Sequence, residues 1–312
     1  MGRYNQTIVT EFIFLGFSCQ RCTNLCLFLL FLTIYLITLA GNTIIIVAIR
    51  LDPWLSTPMY FFLSNLSFLD ICYTTSVVPQ MLTHFLTEHR AISFRRCTAQ
   101  LYVSLSLGGI EFLLLATMAY DRYVAICRPL RYTTIMNKRV CIQMVVASWM
   151  GGLLNSLVQT MFTLRSHFCN SKVIINHFVC EVLAVIRVAC SDTYINEISI
   201  VVAGVIVLLV PCFTVLLSYV YIITSILHIR SSEGRHKAFS TCASHLTVVS
   251  LCYGTAIFAY MRPKGNMSPS QDKMVTLFYA VITPMLNPII YSLRNKDVKG
   301  ALSKAVGKGK NQ

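Results

Sequence analysis

Seven long apolar runs constrain the fold of this chain more than any other feature of its sequence. They lie at about residues 25–49, 58–82, 97–121, 140–164, 198–229, 238–261 and 274–293. Each is long enough to cross a bilayer as a helix, which takes about 20 apolar residues. Their hydrophobicity is continuous rather than alternating, which excludes a membrane β-barrel. The sequence therefore predicts an all-α integral membrane protein with a seven-transmembrane helix bundle.

The overall composition supports a membrane protein and argues against two other classes. Only 12% of the residues are charged, against roughly 25% in soluble domains. The net charge of +14 is spread over short segments between the apolar runs, so we predict membrane lipid, and no nucleic acid, as a partner. The chain has no nucleophile elbow, His-Glu zinc helix or phosphate loop, and we therefore predict no enzyme.

An odd number of spans places the two termini on opposite sides of the membrane. More of the Lys and Arg residues face the cytoplasm if the amino terminus is outside, as the positive-inside rule requires. We expect an extracellular segment at 1–24, glycosylated at Asn5 in its Asn-Gln-Thr sequon. Residues 25–293 form the membrane domain, and 294–312 form a basic cytoplasmic tail. The first ten residues lack the apolar stretch of a signal peptide.

Two carboxylates lie within the predicted spans, Asp70 in the second and Glu111 in the third. Asn42 in the first span and Asn287 in the seventh add further polar groups. Ionisable residues are costly in a membrane and point to function. Two interpretations stay open: a buried polar network that helps the helices to recognise one another, or a site for a sodium ion or a proton between the carboxylates. We predict no other cofactor.

The 13 cysteines are odd in number, so at least one is free or paired outside the chain. Four of them lie in or beside polar segments, where oxidation is possible: Cys97, Cys169, Cys180 and Cys190. His177 and Glu181 flank Cys180, and these three residue types also bind transition metals.

Six motifs follow one another along nearly the whole chain. They are Gly41-Asn42, PMYFFLSNLSFLD at 58–70, MAYDRYVAICRPLRY at 118–132, Ser218-Tyr219, KAFSTCASHL at 237–246 and PMLNPIIYSLRN at 284–295. Together they resemble the rhodopsin-like G-protein-coupled receptors, and among them the odorant (olfactory) receptors of the tetrapod-type class II. Ser56 is one departure, because the family more often has histidine there.

This resemblance implies a receptor of the plasma membrane, in the cilia of olfactory neurons, that binds a small volatile odorant. It also implies coupling to a heterotrimeric stimulatory G protein that raises cyclic AMP. A receptor of the same family that senses a small metabolite in another tissue is an alternative. A seven-span transporter is less well supported, because the chain lacks the repeat symmetry usual in transporters.

The resemblance also assigns residues. It implies disulfides between Cys97 and Cys180 and between Cys169 and Cys190, which leaves no thiolate at Cys180, and we therefore predict no metal site. In the resting receptor Asp121 would hold Arg122. The residues implied in activation and in G-protein contact are Asp121, Arg122, Tyr123, Tyr219, Lys237, His245, Asn287, Pro288 and Tyr291.

The ligand site is expected in the outer half of the bundle. On the third helix, Ser104, Leu105, Gly108, Gly109 and Phe112 share one face at helical spacing. We expect them to face six residues of the fifth and sixth helices, namely Ala203, Val207, Tyr253, Ala256, Ile257 and Tyr260. Amine receptors of the superfamily have an aspartate where this chain has Ser104. The expected ligand is therefore small, largely apolar and neutral, such as an alcohol, aldehyde, ketone or ester.

Overall fold

A computed structural model describes residues 9–17, 21–87, 90–228, 231–261 and 268–294. Within these ranges, seven helices are long and apolar enough to cross a membrane, which confirms the predicted fold class. We number them α1 (Arg21–Leu51), α2 (Pro58–Leu86), α3 (Phe94–Cys127), α4 (Lys138–Leu164), α5 (Tyr194–Leu227), α6 (Ser232–Tyr260) and α7 (Pro269–Leu277, Phe278–Ile282 and Thr283–Arg294). Asn5 and the predicted tail after Arg294 lie outside the described residues.

Several helices begin at residues whose side chains cap the first turn, rather than at the ends of the apolar runs. The Ser93 side chain accepts a hydrogen bond from the Arg96 N–H at the start of α3, and Asn137 does the same for Val140 at the start of α4. Such caps satisfy the free N–H groups of a first turn. As a result α3 extends past both ends of its apolar run. Two short helices, Tyr132–Ile135 and Val182–Ile186, and two 3₁₀ turns, Pro53–Leu55 and Pro129–Arg131, lie in the connections.

Two helices contain a wider, π-helical turn next to a proline. In α5 the turn Val205–Leu209 precedes Pro211, and in α7 the turn Phe278–Ile282 precedes Pro284. A proline has no backbone N–H to donate and its ring clashes with the carbonyl four residues earlier. A π turn accommodates this local break in the hydrogen-bond ladder while the helix continues.

A small sheet, not predicted from the sequence, covers one end of the helix bundle. Its central strand β1 (Glu11–Phe14) pairs antiparallel with β2 (Ala91–Ser93) and parallel with β3 (Lys172–Ile175). Phe12 and Phe14 point inward and are buried. The molecule is therefore helical in its membrane part, with a β cap at one end.

Two disulfides fix the same end of the bundle, and their pairing is the one that the resemblance implies. Cys97 at the start of α3 is bonded to Cys180 in the connection between α4 and α5, with a Cα–Cα distance of 5.4 Å. Cys169 is bonded to Cys190 within that connection. We call this end of the bundle the disulfide end, and the other, where Asp121 and Arg122 lie, the Arg122 end.

The distribution of polar and apolar side chains is the reverse of that in a soluble protein. On α1, Leu25 and Leu36 leave more than half of their surface exposed, whereas Asn42 and Asp70 are fully buried. Apolar side chains in such numbers on the outside require a hydrocarbon solvent, and the backbone of each helix satisfies its own hydrogen bonds there. The fold is that of a multi-pass membrane protein.

Candidate functional site

A mainly apolar cavity of about 120 Å³ lies near the disulfide end, between α3, α4, α5, α6 and α7. An apolar cavity of about 150 Å³ is enough to bind benzene in a protein interior. Tyr73 of α2 contributes to its wall, and Glu181 and Val182 of the α4–α5 connection lie directly beside it. The cavity is thus large enough for one small molecule, and the disulfide-bonded connection between α4 and α5 covers it.

The structure brings together most of the residues that the sequence predicts for a ligand site. Nine of them line the cavity: Ser104, Leu105, Gly108, Gly109, Phe112, Ala203, Val207, Ala256 and Tyr260. Tyr253 and Ile257 do not. The Tyr253 hydroxyl donates a hydrogen bond to the Phe112 carbonyl, 2.7 Å away, and so connects α6 to α3. Ile257 packs against the apolar core.

Several residues that line the cavity are not among those predicted from the sequence. Asn155 and Gln159 of α4 line the cavity, as do Glu181 of the connection and Tyr279 of α7. The two α4 residues carry a readable signal, because two amides four positions apart on an apolar helix share one face. Glu181 and Tyr279 carry none, since their position depends on how a loop and a distant helix come together.

Glu181 is the centre of a hydrogen-bonded cluster at the rim of the cavity. Its Oε1 accepts hydrogen bonds from the hydroxyls of Tyr260, at 3.0 Å, and of Tyr279. Its Oε2 accepts from Thr276, at 2.9 Å. The carboxylate thereby joins the loop to α6 and α7. A second connection near the same rim is the ion pair of Arg187 with Asp272.

His177 lies beside this cluster and is almost completely buried, stacked on Phe178 with 4.8 Å between ring centroids. Burial lowers the pKa of its ring, although nearby Glu181 acts in the opposite direction. Nδ1 accepts a hydrogen bond from the Val179 N–H, 3.3 Å away, so the ring proton of the neutral form belongs on Nε2. Nε2 lies 3.3 Å from the Thr276 hydroxyl. Because Cys180 is in a disulfide, its sulfur is not available as a metal ligand.

A second polar cluster lies between the cavity and the Arg122 end. The Asn287 amide donates to both oxygens of Asp70, at 3.0 and 3.2 Å, and the Cys252 thiol donates to Glu111. Asn42 donates to the carbonyls of Thr38 and Pro284. The amide oxygens of Asn42 and Asn287 are buried and have no hydrogen-bond partner among the described residues. Glu111 also lines the cavity near the disulfide end, so the polar cluster and the cavity share one side chain.

At the Arg122 end the structure does not pair the two charges as the resemblance implies. In the described part of the chain, Asp121 makes no ion pair with Arg122 within 4.0 Å; it accepts a hydrogen bond from the Tyr132 hydroxyl at 2.9 Å instead. Adjacent residues point to different sides of a helix, and Asp121 faces the segment that follows α3. Arg122 is buried, and its Nε has no hydrogen-bond partner among the residues that the structure describes.

Three of the other predicted switch residues, Tyr219, His245 and Tyr291, lie near Arg122. The Tyr219 hydroxyl and His245 Nδ1 are 2.8 Å apart and buried. Tyr291 is buried too, and its hydroxyl has no hydrogen-bond partner among the described residues. Of the remaining predicted residues, Tyr123 is partly buried, and Pro288 lies within α7 beside Gly41. Lys237 belongs to α6, and its side chain lies outside the described atoms.

Comparison with known proteins gives one consistent result. The sequence profile of the family described as Olfactory receptor matches residues 31–308. Olfactory receptor-like protein OLF3 of Canis lupus familiaris is 56% identical over 307 residues, which cover 98% of this chain and 96% of that protein. Olfactory receptor 2F1 of Homo sapiens is 56% identical over 99% of this chain and 97% of its own length. Olfactory receptor 13C9 of Homo sapiens is 51% identical over 96% and 95%.

Proposed function

Since this chain belongs to the olfactory receptor family, we propose that it binds a small, largely apolar and neutral volatile in the cavity near the disulfide end. The observation that carries this proposal is the cavity itself, of about 120 Å³ and with mainly apolar walls. Pockets for small molecules have this character, with few polar groups to orient the ligand. As a member of this family, the chain is a multi-pass plasma membrane protein and not an enzyme.

The disulfide end is the extracellular end in this proposal, because disulfides form and persist in oxidising compartments. The amino terminus is then outside, where Asn5 is glycosylated, and the carboxyl terminus is cytoplasmic. Both cavity and β cap face the outside, and the Arg122 end reaches the inner surface. A volatile ligand and a cytoplasmic partner thus bind at opposite ends of the same bundle.

The partner at the Arg122 end is a stimulatory G protein that raises cyclic AMP. Arg122 is buried, and within the described part of the chain its Nε lacks a hydrogen-bond partner. An unpaired buried polar group carries a desolvation cost of about 1–3 kcal/mol, which favours a rearrangement that gives it one. Tyr219 and Tyr291 supply hydroxyls in this region, and release of the Tyr219–His245 contact belongs to the same rearrangement. The other residues that we assign to activation and G-protein contact are Asp121, Tyr123, Lys237, Asn287 and Pro288.

The polar cluster around Asp70 and Glu111 is a site for a sodium ion or a proton. Two carboxylates and the partnerless amide oxygens of Asn42 and Asn287 provide the oxygen donors that a hard cation requires. A purely structural network is the other interpretation. Because Glu111 also lines the cavity, a cation here couples ligand binding to the middle of the bundle.

The test is a cyclic-AMP assay in cells that express the full chain, against a broad panel of volatiles. At least one volatile is expected to raise cyclic AMP. Arg122→Ala is expected to lose this response while its surface level, measured by antibody labelling, stays that of the unmodified receptor. The matched control is Arg165→Ala, which removes an exposed arginine at the disulfide end of α4 and is expected to respond normally.

A normal response of the Arg122→Ala receptor would contradict the switch role. Silence of the unmodified receptor toward every volatile, despite normal surface level, would contradict the ligand class. Transport of a solute without nucleotide exchange on a G protein would favour a transporter instead.

A further inference from the structure

The cavity wall contains several hydrogen-bonding side chains, and most of them are already engaged within the protein. The Ser104 hydroxyl donates to the Gln100 carbonyl at 2.7 Å. The Gln159 amide donates to the carbonyl and hydroxyl of Ser199, at 3.1 and 2.8 Å. Tyr260 and Tyr279 both donate to Glu181. These groups hold the wall together, and none of these donor hydrogens is free for a ligand.

Two polar wall residues have side chains that make no hydrogen bond among the described residues, Asn155 on α4 and Tyr73 on α2. Tyr73 is buried at the α2 side of the cavity. Asn155 is partly buried and carries two N–H donors and one acceptor on a short, stiff side chain. Its carboxamide therefore offers more free hydrogen-bonding groups than the single hydroxyl of Tyr73.

The packing of α4 fixes the position of Asn155. One residue away, the Ser156 hydroxyl donates to the Tyr102 carbonyl of α3 at 2.7 Å. One turn before it, Gly152 is buried against α3, where a Cβ would come within 2.8 Å of the Ser106 carbonyl oxygen. One turn after it, Gln159 is bonded to α5. Asn155 is therefore held at the cavity between α3 and α5 by three neighbours that cannot easily move.

We propose that Asn155 anchors the ligand by donating an amide hydrogen bond, and that the preferred ligands are apolar molecules with a single acceptor oxygen, such as ketones, aldehydes and esters. This inference rests on the proposed function of the cavity and narrows its ligand class. In a wall that is otherwise mostly apolar or internally bonded, the two free N–H groups of Asn155 set the orientation of the ligand. The hydrocarbon part then lies toward Gly108 and Phe112.

The test compares a ketone that activates the receptor with the hydrocarbon in which a CH₂ replaces its carbonyl. Because one hydrogen bond to a neutral group contributes about 1 kcal/mol, and leaving a buried partner unpaired costs more, the ketone is expected to act at a roughly 10-fold lower concentration. Asn155→Ala and Asn155→Leu are expected to abolish this preference through a weaker ketone response, with hydrocarbon potency and surface level retained. Alanine adds no bulk, so at least one of the two variants keeps the helix packing intact.

The matched comparison is Tyr73→Phe, which removes the other uncommitted hydrogen-bonding group and is expected to keep the preference. Loss of the preference in Tyr73→Phe, together with its retention in Asn155→Ala, would assign the anchor to Tyr73 and overturn the proposal. So would equal potency of ketone and hydrocarbon on the unmodified receptor, although the proposed function would then stand. A receptor silent to every volatile would overturn the proposed function and this inference together.

Discussion

Gly108 allows the cavity to be filled without disturbing the protein around it. It lines the cavity on α3, and a Cβ built on it meets no other atom within 4 Å. The extra methyl group of Gly108→Ala therefore projects into the space that the ligand needs. The helix itself gains, because alanine is favoured over glycine in a helix interior by about 1 kcal/mol. The substitution separates ligand binding from folding.

The expected size of the effect follows from the size of the cavity. The cavity has a volume of about 120 Å³. In the Gly108→Ala receptor, a ligand that needs the space beside residue 108 must shift or distort the surrounding side chains, and overpacking of this kind costs about 1–3 kcal/mol. At 1.4 kcal/mol for each factor of ten, the half-maximal concentration rises roughly 5- to 150-fold. Smaller agonists that leave this space empty are expected to lose less or to gain.

The assay is the cyclic-AMP dose response for a series of agonists of increasing size, with surface level measured in parallel. Gly254→Ala is the matched control, because its Cβ also meets no atom within 4 Å but the residue is exposed on α6, away from the cavity. It is expected to leave every dose response unchanged. An unchanged dose response of Gly108→Ala for agonists of all sizes would refute the assignment of this cavity to the ligand.

Two further predictions concern stability and are measured by thermal unfolding of the purified receptor in detergent. Gly152→Ala is expected to lower the unfolding temperature, because the new Cβ would lie 2.8 Å from a backbone oxygen and 2.9 Å from a backbone nitrogen of α3. In the control Gly151→Ala, the new Cβ meets only a leucine methyl group at 3.0 Å, and the unfolding temperature is expected to change little. Equal effects of the two substitutions would contradict the close α3–α4 contact. For His177, burial lowers the pKa of the ring in the folded state below its usual value of 6.5, so the folded state takes up a proton less readily than the unfolded state. Stability is therefore expected to be constant above about pH 6.5 and to fall below it as the unfolded state takes up the proton. His177→Gln is expected to reduce the loss of stability between pH 6.5 and lower pH. His236→Gln, at an exposed site on α6, is expected to leave that loss unchanged. The same pH dependence of stability in both variants would exclude His177 as its source.

The parts of the site that could be predicted from the sequence are those that depend on one helix at a time. Ser104, Leu105, Gly108, Gly109 and Phe112 all line the cavity, because helical spacing alone places them on one face. The seven helices follow from hydrophobicity in the same way. Their ends are less predictable, since capping side chains and prolines, rather than apolar composition, decide where a helix starts or widens.

Contacts between distant segments could not be read from the sequence. Glu181 enters the cavity wall only because a disulfide-bonded connection folds over the bundle, and its partners belong to two other helices. Tyr253 is predicted to face the ligand, but its hydroxyl donates a hydrogen bond to a backbone carbonyl of α3 instead. Asp121 is predicted to hold Arg122 and is bonded to Tyr132 instead. For Tyr253 and Asp121, a competing hydrogen bond to another element determines the outcome.

The β cap also has a consequence for how the chain is made. Its central strand, Glu11–Phe14, is among the first segments to leave the ribosome, while its partners at Ala91–Ser93 and Lys172–Ile175 follow much later. The first strand can pair with Ala91–Ser93 once two helices have been made, but the sheet is completed only after Lys172–Ile175 has followed. Pairing over such distances is slow, so closure of the cap is a late step, and a completed cap reports that four helices have already been inserted. A sequence fused close to Glu11 is therefore expected to affect the closure of this cap rather than the packing of the membrane helices.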